Sequence, residues 1–263
     1  MTEIVRLALA EDIGTGDITT ELCVPEDLQA RGRFIAREPL VLSGIMIIRE
    51  LYGASMGDCK RDGYRCGKDE VFAEVAGPAR QLLTYERVAL NFLQRLSGVA
   101  TMARRFADAV AGTGCRVIDT RKTTPGLRVL EKQAAAAGGI TNHRQGLFDA
   151  ILIKNNHIAA AGGVQEALDR ARGSGLPVEI EVRTHEELEE ALAAGAQHLL
   201  LDNLTPDGAR EWIREIAGRA KVELSGGITL ENVRAYAETG ADFVSSGAIT
   251  HSARAMDISF RLE

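Results

Sequence analysis

Four basic side chains and one histidine occupy three short segments in the middle of the chain. They are Arg121 and Lys122, then His143 and Arg144, and finally Lys154. The whole chain carries a net charge of −6, so this local group of cations stands out. A guanidinium grips a carboxylate through two parallel hydrogen bonds, and lysines neutralise phosphates as point charges. The group therefore indicates a site for a small, highly anionic substrate.

Two acidic residues lie in later apolar runs: Glu181 is the fourth residue of the run at 178–182, and Asp202 ends the run at 198–202. Carboxylates in this position suit the hydroxyl groups of a sugar, or a magnesium ion bound to the substrate, because hard cations prefer oxygen ligands. An internal salt bridge with the nearby cations is the alternative interpretation.

Two turns built from small residues follow the last two apolar runs. They are Ser225-Gly226-Gly227 and Ser246-Gly247-Ala248. We expect each to precede a helix, where small residues let backbone N–H groups and the helix dipole reach a phosphate. Glycine also ends strands for purely steric reasons, so each turn alone is a weak signal.

The residues with this chemistry alternate with short β-branched runs and helical stretches, a pattern typical of a parallel sheet. Strands are expected at residues 116–119, 150–154, 178–182, 198–202, 221–225 and 242–246, with amphipathic helices at 186–194 and 206–217 between them. In such folds the carboxyl ends of the strands carry the chemistry. Six strands are too few for an ordinary barrel of about eight. An incomplete (open) α/β barrel is therefore favoured over a doubly wound sheet.

The first hundred residues predict a small α+β lobe. The patterns favour a helix near residues 2–10 and strands at 33–36 and 81–83. Apolar residues then recur at helical spacing from 84 to 111, which predicts a long helix with Thr84 as N-cap and a bend at Gly98.

Several classes of protein are disfavoured. The negative charge argues against nucleic-acid binding, and the longest apolar stretch is about half of what a membrane span needs, roughly 20 residues. The sequence contains no P-loop motif, no dinucleotide-binding glycine motif and no pair of histidines at zinc-binding spacing. The four cysteines lack C-x-x-C spacing and are expected to be buried and reduced, which together with the absence of a basic leader favours the cytoplasm.

Five motifs together carry a specific resemblance. They are Asp119-Thr-Arg-Lys-Thr-Thr-Pro-Gly126, Asn142-His-Arg144, Ile153-Lys-Asn-Asn-His157, Leu201-Asp-Asn203 and Ser225-Gly-Gly227. In this order they resemble the quinolinate phosphoribosyltransferase family, over nearly the whole chain. The resemblance implies an N-terminal α/β sandwich lobe at residues 1–97, joined by a returning tail at 254–263, and an open α/β barrel at 98–253. It also implies a homo-oligomer, dimer or hexamer, in which one subunit's lobe completes its neighbour's site.

The family's reaction joins quinolinate to phosphoribosyl pyrophosphate, with Mg²⁺, and gives nicotinate mononucleotide, pyrophosphate and carbon dioxide for NAD synthesis. The resemblance implies that the quinolinate carboxylates are held by Arg87 of the neighbouring subunit and by Arg121, His143 and Arg144. It implies that the catalytic residues are Lys122, Lys154, Glu181 and Asp202. The two lysines would neutralise carboxylate or pyrophosphate, and Glu181 and Asp202 would take the ribose hydroxyls and Mg²⁺ as candidate metal ligands. The substrate-binding set is completed by Ser225, Gly226, Gly227, Ser246, Gly247, Ala248 and His251.

The chain departs from the family pattern at Gln133, Ile140, Asn155 and Arg183. None of these removes a proposed ligand, but Asn155 and Arg183 lie next to Lys154 and within two residues of Glu181 and are expected to alter substrate affinity.

Two other functions stay open from the residues alone. One is a Schiff-base aldolase on the barrel, with Lys154 or Lys122 as the nucleophile. The other is a binding protein, because the family has a paralogue associated with molybdenum uptake. The intact motifs around Arg144 and Lys154 favour the phosphoribosyltransferase.

Overall fold

Two groups of residues, each with its own sheet, make up the computed structural model, which describes residues 1–263. The N-terminal unit comprises Met1–Arg104, Thr124–Gly139 and Ser252–Glu263. The barrel unit comprises Arg105–Thr123 and Ile140–His251. The sequence-based division had assigned residues 124–139 to the barrel, whereas in the structure they cluster with the N-terminal unit.

The N-terminal unit is built around an antiparallel sheet in the order β12-β1-β5-β3. The strands of the whole unit are β1 (Gln29–Ala36), β2 (Leu40–Val41), β3 (Met56–Cys59), β4 (Arg65–Cys66), β5 (Glu70–Pro78) and β12 (Ile258–Leu262). Its helices are α1 (Glu3–Ile13), α2 (Ile18–Cys23), α3 (Ile45–Tyr52), α4 (Ala79–Ala109, which continues past the unit's boundary) and α5 (Arg128–Ala137). Phe34 packs against Tyr52, Phe72 and Phe260, so the last strand of the chain helps to close this core.

Helix α4 begins five residues earlier than the sequence predicts, at Ala79, and the strand expected at residues 81–83 is wrong. The reason is that Leu82 is fully buried and continues the apolar stripe of the helix, about two turns before the buried Ala89. Thr84 is therefore not an N-cap. Its hydroxyl instead donates to Asp17 Oδ2 at 3.1 Å.

The barrel unit contains the six parallel strands that the sequence predicts, in the order β6-β11-β10-β9-β8-β7. They are β6 (Arg116–Ile118), β7 (Ile151–Ile153), β8 (Val178–Val182), β9 (His198–Asp202), β10 (Lys221–Ser225) and β11 (Phe243–Ser245). The helices are α6 (Asn155–Ala161), α7 (Val164–Ala171), α8 (His185–Ala193), α9 (Pro206–Ile216), α10 (Val233–Ala237) and α11 (Ala248–His251). The edge strands β6 and β7 do not pair with each other, so the barrel is open, as predicted.

Side chains alternate between the two faces of each barrel strand. In β9 and β10 the residues Leu199, Leu201, Val222 and Leu224 are buried on the outer face. The intervening positions point into the barrel, where the strands carry polar groups at their carboxyl ends. This alternation decides which residues can meet in a common site.

The four cysteines are free thiols. Cys66 and Cys115 are buried as expected, and burial raises the pKa of each thiol to about 12. The expectation of burial is wrong for Cys23, which is exposed, and for Cys59, which is half-buried. The helices are all too short or too polar to cross a bilayer.

Gly98 lies inside α4, where glycine normally weakens a helix. A Cβ at this position would lie 2.0 Å from the carbonyl oxygen of Arg254, in the segment that leads to β12. The close approach of these two backbones therefore requires glycine. The helix is continuous through this position.

We expect Gly98→Ala to lower the free energy of unfolding by about 2 kcal/mol, because overpacking against backbone outweighs the better helix propensity of alanine. Urea unfolding followed by circular dichroism measures the change. Gly208→Ala in α9 is the matched control, since a Cβ there meets nothing closer than Thr205 Oγ1 at 3.4 Å. The control should be neutral or stabilising, and equal stability of the two variants would contradict the explanation.

Candidate active site

A cavity of about 570 Å³ lies at the carboxyl ends of the barrel strands. The predicted residues that line it are Arg121, Lys122, His143, Arg144, Lys154, Glu181, Asp202, Ser225, Gly226 and Gly227. Five predicted residues are not among its lining: Arg87, Ser246, Gly247, Ala248 and His251. The strand ends thus gather most of the residues that the sequence selected, although those residues are far apart in the chain.

The basic side of the cavity is formed by Arg121, Lys122 and Arg144. Arg144 Nη1 donates to the carbonyl oxygen of Ala150 at 3.0 Å, which holds the guanidinium in place. Burial, and then the positive charge of Arg121, lower the pKa of Arg144 from its usual value. Like charges held close together in a half-buried pocket disfavour one another, so this side of the cavity favours an anion.

His143 is oriented from both of its ring nitrogens. The backbone N–H of Arg144 donates to Nδ1 at 2.6 Å, so the ring hydrogen is on Nε2. Nε2 lies 3.1 Å from Glu179 Oε2 and 3.5 Å from Glu223 Oε2. The backbone N–H of His143 also donates to Asp119 Oδ1 at 2.8 Å. The imidazole is therefore fixed at the floor of the cavity.

Glu181 is almost fully buried, and both of its carboxylate oxygens contact cations. Lys154 Nζ lies 2.9 Å from Oε2, and Arg183 Nη2 lies 2.6 Å from Oε1. Arg183 also approaches Asp202 Oδ2 at 3.8 Å. The internal salt bridge considered for Glu181 is thus present in this structure. Arg183, which the sequence analysis treated only as a departure, lies within the site.

The turn at Ser225-Gly226-Gly227 has φ values of +96° and +61° at its two glycines. A Cβ at Gly226 would lie 2.2 Å from Asn203 Oδ1 and 2.8 Å from its backbone nitrogen, so only glycine fits beside Asn203. The expectation that a helix follows directly is wrong, because α10 begins only at Val233. Any phosphate contact here comes from the backbone of the turn rather than from a helix dipole.

The second turn does lead into a helix, the short α11 that begins at Ala248. Ser246 is buried and its hydroxyl donates to the carbonyl oxygen of Ile228 at 2.6 Å, so it fastens this turn to the segment after Gly227. A Cβ at Gly247 would lie 2.9 Å from both Lys122 Cδ and the His251 ring. His251 therefore lies close to Lys122, beside the cavity.

Sequence reasoning missed Glu179 and Glu223. Both share the inner face of their strands with residues that were chosen, Glu181 on β8 and Ser225 on β10. The period of two along a strand was the signal that could have found them. Burial, and then the charge of Glu179, raise the pKa of Glu223 well above its usual value.

Arg87, the other residue outside the cavity lining, lies exposed on α4 in the N-terminal unit.

Comparison with known families agrees with the fold, which has an open α/β barrel and a second unit with an antiparallel sheet. Models described as the quinolinate phosphoribosyl transferase N-terminal and C-terminal domains match residues 17–97 and 99–261. The chain belongs to the quinolinate phosphoribosyl transferase family.

Individual relatives are similar over nearly their full length. A probable nicotinate-nucleotide pyrophosphorylase [carboxylating] of Bacillus subtilis (strain 168) is 45% identical over 95% of this chain and 89% of that protein. The chloroplastic nicotinate-nucleotide pyrophosphorylase [carboxylating] of Arabidopsis thaliana is 38% identical over 99% of this chain and 82% of that protein. The crystal structure of NadC from Streptococcus pyogenes superimposes with a TM-score of 0.94 at 39% identity, covering 99% of this chain and 95% of that one.

Proposed function

We infer that this chain is the enzyme that joins quinolinate to phosphoribosyl pyrophosphate, and so forms nicotinate mononucleotide, pyrophosphate and carbon dioxide in de novo NAD biosynthesis. The observation that carries the inference is the cavity at the strand ends, which is lined by Arg121, Lys122 and Arg144 together with the carboxylates of Glu181 and Asp202. Family membership supports the same reaction.

The chemistry needs little from the protein beyond placement and charge. The pyridine nitrogen of quinolinate has a free electron pair, so no general base is required to activate it. Two anionic substrates must be held together against their repulsion, and the charge on the departing pyrophosphate must be stabilised. A pocket of fixed cations performs both tasks, because its charges are already in place before the reaction.

We propose that Arg121 and Arg144 hold the quinolinate carboxylates. The His143 ring lines the same cavity, but both of its ring nitrogens already have partners within the protein. Lys122 lies beside Gly247 and His251, so we assign these three residues to the phosphate end of the cosubstrate. The Ser225-Gly226-Gly227 backbone is assigned to a second phosphate contact.

Asp202 is the better placed of the two candidate metal ligands. Both oxygens of Glu181 already contact cations, whereas only Oδ2 of Asp202 accepts a hydrogen bond, from the side chain of Asn203 at 2.8 Å. Mg²⁺ in such sites commonly uses one or two carboxylates together with substrate phosphates. When bound, it would supply positive charge next to the pyrophosphate. We propose that Asp202 would hold the ion, and that Glu181 holds Lys154 and Arg183 in position.

We also propose that the chain acts as a homodimer or a larger homo-oligomer. Leu147 and Phe148 lie just after Arg144 in the chain and are 75% and 77% exposed, and Leu22 in the N-terminal unit is 81% exposed. Large apolar side chains exposed in this way are typical of surfaces that bind a partner. A cytoplasmic location stays a prediction; the four unpaired thiols support it.

Turnover of quinolinate and of nicotinate tests the proposed substrate. We expect the enzyme to reject nicotinate by about 100-fold or more in kcat/KM, because the cations that bind the missing 2-carboxylate are then left without a partner. Pyrophosphate release measured with each substrate, at equal phosphoribosyl pyrophosphate, gives the ratio. Comparable turnover of the two would contradict the assignment.

A further inference from the structure

The barrel has a second cavity, of about 260 Å³, at the amino ends of its strands. Its lining includes Arg116, His198 and Phe243, which begin or nearly begin their strands. It shares His143 and Glu223 with the substrate cavity at the other end. These two side chains therefore separate the substrate cavity from the second cavity.

The layer between the two cavities is polar, although the inside of such barrels is normally filled with branched apolar side chains. Glu223 is only 4% exposed and Glu179 is 15% exposed at the side chain, and the two are hydrogen-bonded to each other. Two carboxyl groups in contact in a buried place disfavour each other's charge. Glu223 is the more buried of the two, and burial together with the charge of Glu179 raises its pKa well above the usual value, which favours its acid form.

The proposed reaction needs such a proton. When the 2-carboxylate leaves as carbon dioxide, the bond between C2 and the carboxylate breaks and its electron pair stays on C2, next to the cationic ring nitrogen. A proton must then bond to C2. Glu223 lines the cavity in which this happens.

We propose that Glu223 gives its carboxylic acid proton to C2 of the pyridine ring, and that the second cavity returns a proton to it from solvent. The O–H bond of Glu223 breaks as the C2–H bond forms, which leaves Glu223 as a carboxylate until water in the second cavity reprotonates it. Glu179 and His143 position the acid. This inference rests on the proposed function and concerns the step in which carbon dioxide leaves and C2 gains a proton.

The pH dependence follows from the groups around Glu223. Those that face it from the neighbouring elements are Glu179 on β8, His143 before β7, Lys154 before α6, and Ser245 on β11, with Arg116 and His198 on the wall of the second cavity. Because the proposal requires the carboxylic acid form of Glu223, the rate of carbon dioxide release should fall as pH rises through the raised pKa of Glu223. Pyrophosphate release should not share this limb.

A single-turnover experiment separates the two steps. Wild-type enzyme is mixed with quinolinate and phosphoribosyl pyrophosphate, quenched at intervals, and assayed for pyrophosphate and carbon dioxide. In Glu223→Gln, which keeps the shape but has no acid proton, we expect pyrophosphate release within about threefold of wild type, and carbon dioxide release slowed at least tenfold. Quinolinate mononucleotide should then accumulate and be visible by mass spectrometry. Glu215→Gln, an exposed carboxylate that pairs with His185, is the control expected to behave as wild type.

Equal slowing of both products in a folded Glu223→Gln, or no slowing of either, would overturn the proposal. It would also be overturned if wild type holds a stoichiometric transition metal that this variant has lost, because Glu223 would then be a metal ligand and not an acid. Should Glu223→Gln fail to fold, Glu179→Gln provides the test: removal of its charge should move the alkaline limb of carbon dioxide release to lower pH, and an unmoved limb overturns the proposal. If wild type releases neither product, the proposed function itself has failed.

Discussion

Arg144→Ala is expected to weaken quinolinate binding about 30-fold, a loss of about 2 kcal/mol. The guanidinium is half-buried, fixed by the Ala150 carbonyl and placed near the charge of Arg121. Removing it deletes a two-pronged carboxylate contact in a partly desolvated pocket, where charged hydrogen bonds count for more than in water. Isothermal titration calorimetry with quinolinate measures the loss.

Two companion variants make this result specific. Arg144→Lys keeps the charge but not the forked geometry, and should recover only part of the affinity. Arg210→Ala removes an exposed arginine that pairs with Asp207 on α9, and should bind quinolinate as wild type does. Unchanged affinity in a folded Arg144→Ala would remove Arg144 from the site.

Mixing the two inactive variants Arg87→Ala and Lys154→Ala is expected to restore activity if the site is shared between subunits. Arg87 lies exposed on α4 in the N-terminal unit, whereas Lys154 lines the barrel cavity. In a two-fold dimer that exchanges Arg87, a hybrid of Arg87→Ala and Lys154→Ala has one site with both residues intact. An equal mixture should then recover about a quarter of wild-type activity, since half of randomly mixed dimers are hybrids with one working site.

The mixture must be shown to contain hybrids, and native mass spectrometry of subunits with different tags does so. Each variant alone should be folded and inactive. If Arg87 served its own barrel, one site of every hybrid would lack Arg87 and the other would lack Lys154, so no hybrid would contain a complete site. Hybrids without activity would therefore rule out the shared site.

The regular elements of the barrel could be predicted because their signals are local. Each strand is a short β-branched run between polar turns, and the structure confirms all six. The start of α4 could not be found this way. Leu82 and its neighbours read equally well as a strand or a helix over three residues, and only burial in the core decides between them.

Contacts distant in the chain account for the other differences. The requirement for glycine at position 98 depends on the backbone at Arg254, more than 150 residues later, and the bend expected there stays a prediction. The segment at 124–139 clusters with the N-terminal unit, where Glu131 is buried against Arg95 at 2.7 Å. No local pattern reports such a partner.

Within the site, the sequence predicts which residues line the cavity but not which of their side chains contact each other. The motifs selected Lys154, Glu181 and Asp202, and the strand ends bring them to one cavity. That Arg183 would contact Glu181, or that Glu179 would raise the pKa of Glu223, depends on side-chain positions that a motif does not contain.

Release of carbon dioxide from quinolinate tests the central claim most directly. Quinolinate labelled with carbon-14 in its 2-carboxylate is incubated with the enzyme and Mg²⁺, with and without phosphoribosyl pyrophosphate, and the released gas and pyrophosphate are counted. The proposed function predicts one labelled carbon dioxide for each pyrophosphate, and none without the cosubstrate. Pyrophosphate release without labelled gas from wild type, or labelled gas independent of phosphoribosyl pyrophosphate, would contradict it.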